Sequence, residues 1–313
     1  MIICAVGVFI DIAVITVAPI ALAIGERAGL SKSGILLAMI GGGKAGNIVS
    51  PNPNTIAVTE AFKLDLTAVM MKNLIPALCA LIATIVLASL LAKKAGDGIS
   101  QNDLEAAPAE KLPNALQAFA GPLTVIVLLA LRPLAKISVD PLIALPLGGL
   151  VCILVTGNIR NLIPYTDFGL SKVIGVAILL IGTGTIAGII KASALQKDMT
   201  ALLSAMNMPA FILAPLSGIL MAAATASTTA GSTVASQTFS GTLLSAGVPA
   251  LSAAAMIHAG ATVLDSLPHG SFFHATGGSV YMDIKNRMKL IPFEALIGLT
   301  STIVAVILYL VAA

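Results

Sequence analysis

Long apolar runs make up most of this chain, and two polar stretches interrupt them: GGGKAGNIVSPNPNT at residues 41–55 and TASTTAGSTVASQT at residues 225–238. Hydrocarbon cannot hydrogen-bond a bare N–H or C=O. Irregular backbone at membrane depth is therefore tolerated only where it is buried in protein or lines a wet cavity. One such interruption in each half is the expected mark of a substrate site made from broken helices. Composition demands a membrane on separate grounds. Hydrophobic residues are 58% of the chain and charged residues 10%, and mean hydropathy is +1.02, whereas soluble domains are about half apolar and a quarter charged.

The net charge of +3 comes from scattered Lys and Arg, so a nucleic-acid partner has no support. Cys4, Cys79 and Cys152 lie far apart in apolar runs; they match neither a disulfide framework nor a metal spacing and read as packing residues. The first run, MIICAVGVFIDIAVITVAPIALAI, lacks a basic leader and carries Asp11, which makes it a poor signal peptide. Its length predicts one transmembrane helix. Further apolar segments follow at 74–92, 119–131, 141–156, 173–190, 209–224, 248–264 and 291–313. Basic residues fall in most loops, so charge bias does not select an orientation.

The longest polar segment starts at residue 93 and reads as a linker. The expected division is a first repeat over 1–92 with a hairpin near 35–60, a linker over 93–118, and a second repeat over 119–313 with a hairpin near 209–246. The fold class expected is an all-α polytopic membrane protein with two helical hairpins; the resemblance described below implies the finer architecture, an inverted-repeat transporter whose hairpins are re-entrant.

In the first polar stretch the glycines at 41–43 lower helix propensity, and Pro51 and Pro53 forbid a continuous hydrogen-bond ladder. The helix must break near Ser50. Asn47, Asn52, Asn54 and Thr55 then offer donors and acceptors, and a helix starting near Thr55 favours an anion such as a carboxylate. Lys44 either snorkels to the interface or faces a partner or cavity, because a cation in an apolar pass is costly. The second stretch alternates small residues with hydroxyls, among them Ser227, Thr228, Ser232 and Thr233. Small residues suit helix packing; so many hydroxyls suit a polyol or hydroxyacid. All three histidines lie in HAGATVLDSLPHGSFFHATGG, from His258 through His269 to His274. No metal-ligand spacing is present, so no metal or other cofactor is expected. Proton handling fits better, since His titrates near neutral pH and desolvation raises a carboxylate toward the same range. Asp11, Asp265, His258 and His269 are the candidates.

Four strings in order resemble the gluconate permease family of proton symporters, part of the wider ion-transporter superfamily: VGVFIDIAVITVAPIALAIGERAGLSKSG, NIVSPNPNTIAV, ASTTAGSTVASQ and HAGATVLDSLPHGSFFHATGGS. The resemblance spans almost the whole chain. It implies two inverted repeats whose hairpin tips face each other near the membrane centre, with Asn52, Asn54 and Thr55 at the first tip, Ser232 and Thr233 at the second, and Asp11 and Asp265 beside them. It implies alternating-access symport of gluconate or a related small hydroxycarboxylate with a proton, in the bacterial cytoplasmic membrane, without enzymatic chemistry. A homodimer follows by analogy with the superfamily. Typical members begin with several helices before the segment containing Asp11, so the chain is expected to lack the start of its first repeat. Sodium-coupled citrate or dicarboxylate symport is the nearest alternative reading, followed by an intramembrane hydrolase and an inactive fragment.

Overall fold

The computed structural model describes residues 1–94, 97–100, 103, 114–135, 137, 139–205 and 208–312. Most of the linker expected at 93–118 lies outside the described residues. Those described are helical almost throughout, with no strand among them and one isolated bridge between Ser31 and Gly98. The helices are α1 (Ile2–Ala5), α2 (Ile10–Arg27), α3 (Lys32–Asn47), α4 (Pro53–Phe62), α5 (Leu66–Lys72), α6 (Leu74–Lys94), α7 (Ala115–Ala135), α8 (Pro141–Val155), α9 (Leu162–Ala192), α10 (Leu195–Ala205), α11 (Leu213–Thr225), α12 (Thr228–Ser245), α13 (Ala250–Gly260), α14 (Ser271–Gly278), α15 (Ile284–Met288) and α16 (Ile291–Ala312). Packing divides the chain into two compact units, Met1–Glu105 with Leu180–Ala313, and Ala106–Leu179.

In the smaller unit, α7 and α8 form an antiparallel pair. Gln117 at the start of α7 donates to the carbonyl of Val155 at the end of α8, and Asp140 caps α8 by accepting from the Leu142 amide.

In the larger unit, α6 turns its large apolar side chains outward and its small ones inward. On α6, Ile75, Leu78, Ile82, Ile85 and Leu90 are exposed, while Ala77, Ala80, Thr84 and Ala88 are buried. A soluble helix would present the reverse. The small inner face lets α3 approach closely: a Cβ on Gly41 would stand 2.4 Å from Thr84 Oγ1, the small-residue contact of helices packed in lipid. The stretches 74–93 and 284–312 are the two, among the described residues, long and apolar enough to cross a membrane by length and composition.

Three interruptions shape the interior. Between α3 and α4 the backbone leaves the helix at Ile48 and re-enters at Pro53. Asn52 caps the new helix, its side chain accepting from the amides of Asn54 (2.9 Å) and Thr55 (3.1 Å). Between α11 and α12 the chain reverses in two residues, with Ala226 left-handed at φ 46° and Ser227 capping through the Ala230 amide. Gly231 allows that reversal, because a Cβ there would lie 2.5 Å from Ala222 Cα. The third interruption follows α13, whose successor α14 begins only at Ser271. Ala261, Thr262, Val263, Asp265 and Ser266 between them are buried.

Two expected passes are shorter than the apolar patterns predict. The first run breaks between α1 and α2, where Gly7 takes φ 112°, a conformation glycine adopts without steric penalty. The segment expected at 248–264 leaves the helix after Gly260. Hydropathy reads the apolar character of Ala261 and Val263, but not the turn in which they sit.

Candidate functional site

The first interruption folds around its asparagines. Asn52 Nδ2 donates to the carbonyl of Asn47 (2.8 Å) and to its side-chain oxygen (2.5 Å), and Asn54 Nδ2 donates to the same oxygen at 3.0 Å. Thr55 Oγ1 donates to the Ser50 carbonyl at 2.7 Å. Backbone carbonyls and amides at the break are thus taken up by side chains two to five residues away, as buried backbone requires. The second interruption joins this cluster directly: Thr229 Oγ1, in the first turn of α12, donates to Asn54 Oδ1. The first turns of α4 and α12 therefore meet.

One residue earlier, Thr228 Oγ1 donates to Asp265 Oδ2 at 2.6 Å. Asp265 Oδ1 accepts from Ser266 Oγ at 2.9 Å and pairs with Lys44 Nζ at 2.5 Å. Both ion-pair partners are buried, at 1% and 2% side-chain exposure. Lys44 also donates to the carbonyls of Thr262 (2.6 Å) and Glu294 (3.4 Å). A lone ammonium or carboxylate at such depth would be prohibitive, so each makes the other tolerable. Of the two readings of Lys44, the interior partner holds and the snorkelling one does not. The result is a buried polar network that joins α3, α4, α12, the segment after α13 and α16.

Several polar groups beside this network have no hydrogen-bond partner in the structure: Ser50 Oγ, Thr233 Oγ1 and both ring nitrogens of His258 are buried and unpaired. Ser232 is buried and donates only to the Thr229 carbonyl at 3.3 Å. Buried donors without partners are rare and mark places where a ligand or water completes the bonding.

The structure gathers Asn47, Asn52, Asn54, Thr55, Thr228 and Asp265 into the network and places Ser50 and Ser227 in its loops. Asp11 stands apart, half-buried in the first turn of α2, accepting from the Ile12 amide. His269 is exposed. No group of His, Cys, Asp and Glu suited to a metal ion occurs among the described residues. The three cysteines are free thiols.

Sequence reasoning left Lys44 and Thr229 out of the candidate site. For Lys44 the signal was present: one cation among glycines in an apolar stretch. It also missed a second buried pair, Arg287 with Glu294, at 1% and 0% side-chain exposure. Arg287 makes two hydrogen bonds to that carboxylate, donates to Thr276 Oγ1 and lies over the Phe273 ring, 4.8 Å from its centroid.

No solved structure matches this chain. The model of the GntP family permeases matches residues 1–145. A protein of Haemophilus influenzae (strain ATCC 51907 / DSM 11121 / KW20 / Rd), named an uncharacterized transporter, is 58% identical over 309 residues, which is 99% of this chain and 74% of that protein. An apolar helical chain with polar helix breaks at its centre, matched by this family and this relative, belongs to the GntP family of permeases and is a membrane transporter.

Proposed function

We propose that this chain is a secondary active transporter that carries gluconate or a related small hydroxycarboxylate together with a proton across the bacterial cytoplasmic membrane by alternating access. One observation carries the reading: the first turns of α4 and α12 meet through Thr229 and Asn54, and the neighbouring Thr228 bonds the buried Lys44–Asp265 pair. Two helix N-termini bring positive dipole ends to one place, which favours a carboxylate. The hydroxyls of Ser50, Ser232 and Thr233 and the amides of Asn47, Asn52 and Asn54 would serve the hydroxyl groups of the substrate. Asp265 is the group best placed to take the proton, with Asp11, His258 and His269 as further candidates. The bundle is read as two inverted repeats with re-entrant hairpins, and as a homodimer in the bilayer.

The test is uptake of labelled gluconate by proteoliposomes under an imposed inward proton gradient, with competition by other hydroxycarboxylates. The reading expects uptake that an uncoupler abolishes and that hydroxyacids, rather than simple monocarboxylates, inhibit. Uptake that ignores the uncoupler and follows sodium would replace the proton with sodium.

A further inference from the structure

The Lys44–Asp265 pair sits within the proposed site and is held asymmetrically. Apart from Lys44, the side chains that bond Asp265 tolerate its neutralisation: Ser and Thr hydroxyls both donate and accept, so Thr228 and Ser266 can accommodate a protonated carboxyl by rotating. Lys44 keeps two carbonyl partners, those of Thr262 and Glu294, that do not depend on Asp265. The ammonium is fixed in place while its counter-charge is exchangeable. Among the described side chains, the other ionisable groups on the elements packed around the pair are Cys4 on α1, Asp11, Glu26 and Arg27 on α2, Lys32 on α3 itself, Glu60 on α4, Cys79 and Lys93 on α6, His258 on α13, His274 on α14, and Glu294 and Tyr309 on α16, with Arg287 on α15 beside Glu294. Among the described residues none of these side chains hydrogen-bonds Lys44 or Asp265, and Glu294 bonds Arg287 instead.

We infer that Lys44 is the docking cation for the substrate carboxylate, and that Asp265 leaves it on taking up a proton, so that anion and proton can enter only together. This rests on the transport reading above. Charge balance supplies the logic. The closed pair is neutral. A substrate carboxylate on Lys44 with Asp265 still ionised leaves one uncompensated buried negative charge; a proton on Asp265 without substrate leaves one uncompensated buried positive charge. Each is expensive in a low-dielectric interior. The two neutral states, the empty pair and the carrier with anion and proton, are the ones free to cross between orientations. One proton thus accompanies each carboxylate, and no bond other than the carboxyl O–H forms or breaks.

The experiment compares two modes of labelled gluconate movement in proteoliposomes, proton-driven accumulation and counterflow against unlabelled gluconate inside. Counterflow needs binding and reorientation but no net proton movement. Asp265→Asn is expected to lose accumulation by at least about tenfold while keeping counterflow, now independent of pH. Lys44→Met is expected to lose both by about the same factor. The double variant Lys44→Met with Asp265→Asn removes both charges, so a fold held by the pair is relieved; it is expected to stay folded and remain inactive in both modes. Recovery of transport by the double variant would make the pair structural and overturn the inference, as would proton-driven accumulation by Asp265→Asn. Failure of the parent chain to move gluconate in either mode would overturn the transport reading, and this inference with it, before any variant is compared.

Discussion

The two buried ion pairs obey the same physics but are assigned different roles, and Glu294→Gln separates them. Arg287 and Glu294 are 1% and 0% exposed, so the substitution leaves a guanidinium with no counter-charge in the interior. Removing one member of such a pair costs about 3–5 kcal/mol. Two contacts remain, the Thr276 hydroxyl at 3.3 Å and the Phe273 face at 4.8 Å. A desolvated cation over a ring is worth about 2 kcal/mol, so the loss belongs at the lower end, about 3 kcal/mol. Arg287→Met with Glu294→Leu replaces both charges by apolar groups and should return stability to within about 1 kcal/mol of the parent. The assay is unfolding in detergent micelles, followed by counterflow of the folded fraction. Full counterflow by the Arg287/Glu294 double variant is expected, in contrast to the inactive Lys44/Asp265 double variant. An unchanged stability for Glu294→Gln would refute the premise that this pair is desolvated. A double variant no more stable than the single one would refute the charge argument.

Three further outcomes follow from particular contacts. Thr229→Val removes the bond between the first turns of α4 and α12; it should cost about 1 kcal/mol of stability and reduce gluconate uptake at subsaturating concentration more than at saturation. Gly231→Val places methyl groups where even a Cβ would be 2.5 Å from Ala222 Cα, so a loss of about 1–3 kcal/mol is expected from melting in detergent, with Gly231→Ala milder. Outside the apolar helices, the hydrogen bond from Lys32 and those from Ser100 hold the Asp103 carboxyl at about 2, against 3.8 unperturbed. A depressed carboxyl contributes stability that is full above its unfolded value and vanishes as pH falls through the folded one. Protease cleavage near 97–103 should therefore rise between about pH 4 and pH 2 in the parent, and be high throughout in Asp103→Asn.

How much of this was legible in the chain depended on how local each cause was. The break near Ser50 was readable because Pro51 and Pro53 act on their own backbone, and Asn52 caps the helix that starts one residue later. The second break was readable as a cluster of hydroxyls, although the left-handed Ala226 that makes the reversal carries no glycine signal. Lys44 announced that it needed a partner, since desolvation forbids it to be alone, but nothing nearby identifies a carboxylate 221 residues away. Asp265 was singled out as a proton group without its cation for the same reason. Arg287 and Glu294, seven residues apart, resembled ordinary charges at the start of an apolar helix. The burial of Arg287 comes from α14 folding back over it, which no local pattern encodes.

The central claim is that a proton enters with each anion, and the most direct measurement is external pH when gluconate is added to lightly buffered, de-energised proteoliposomes with a potassium shunt. The account predicts a rise in external pH, abolished by uncoupler and absent in Asp265→Asn. Entry of labelled gluconate with no change in external pH would contradict it.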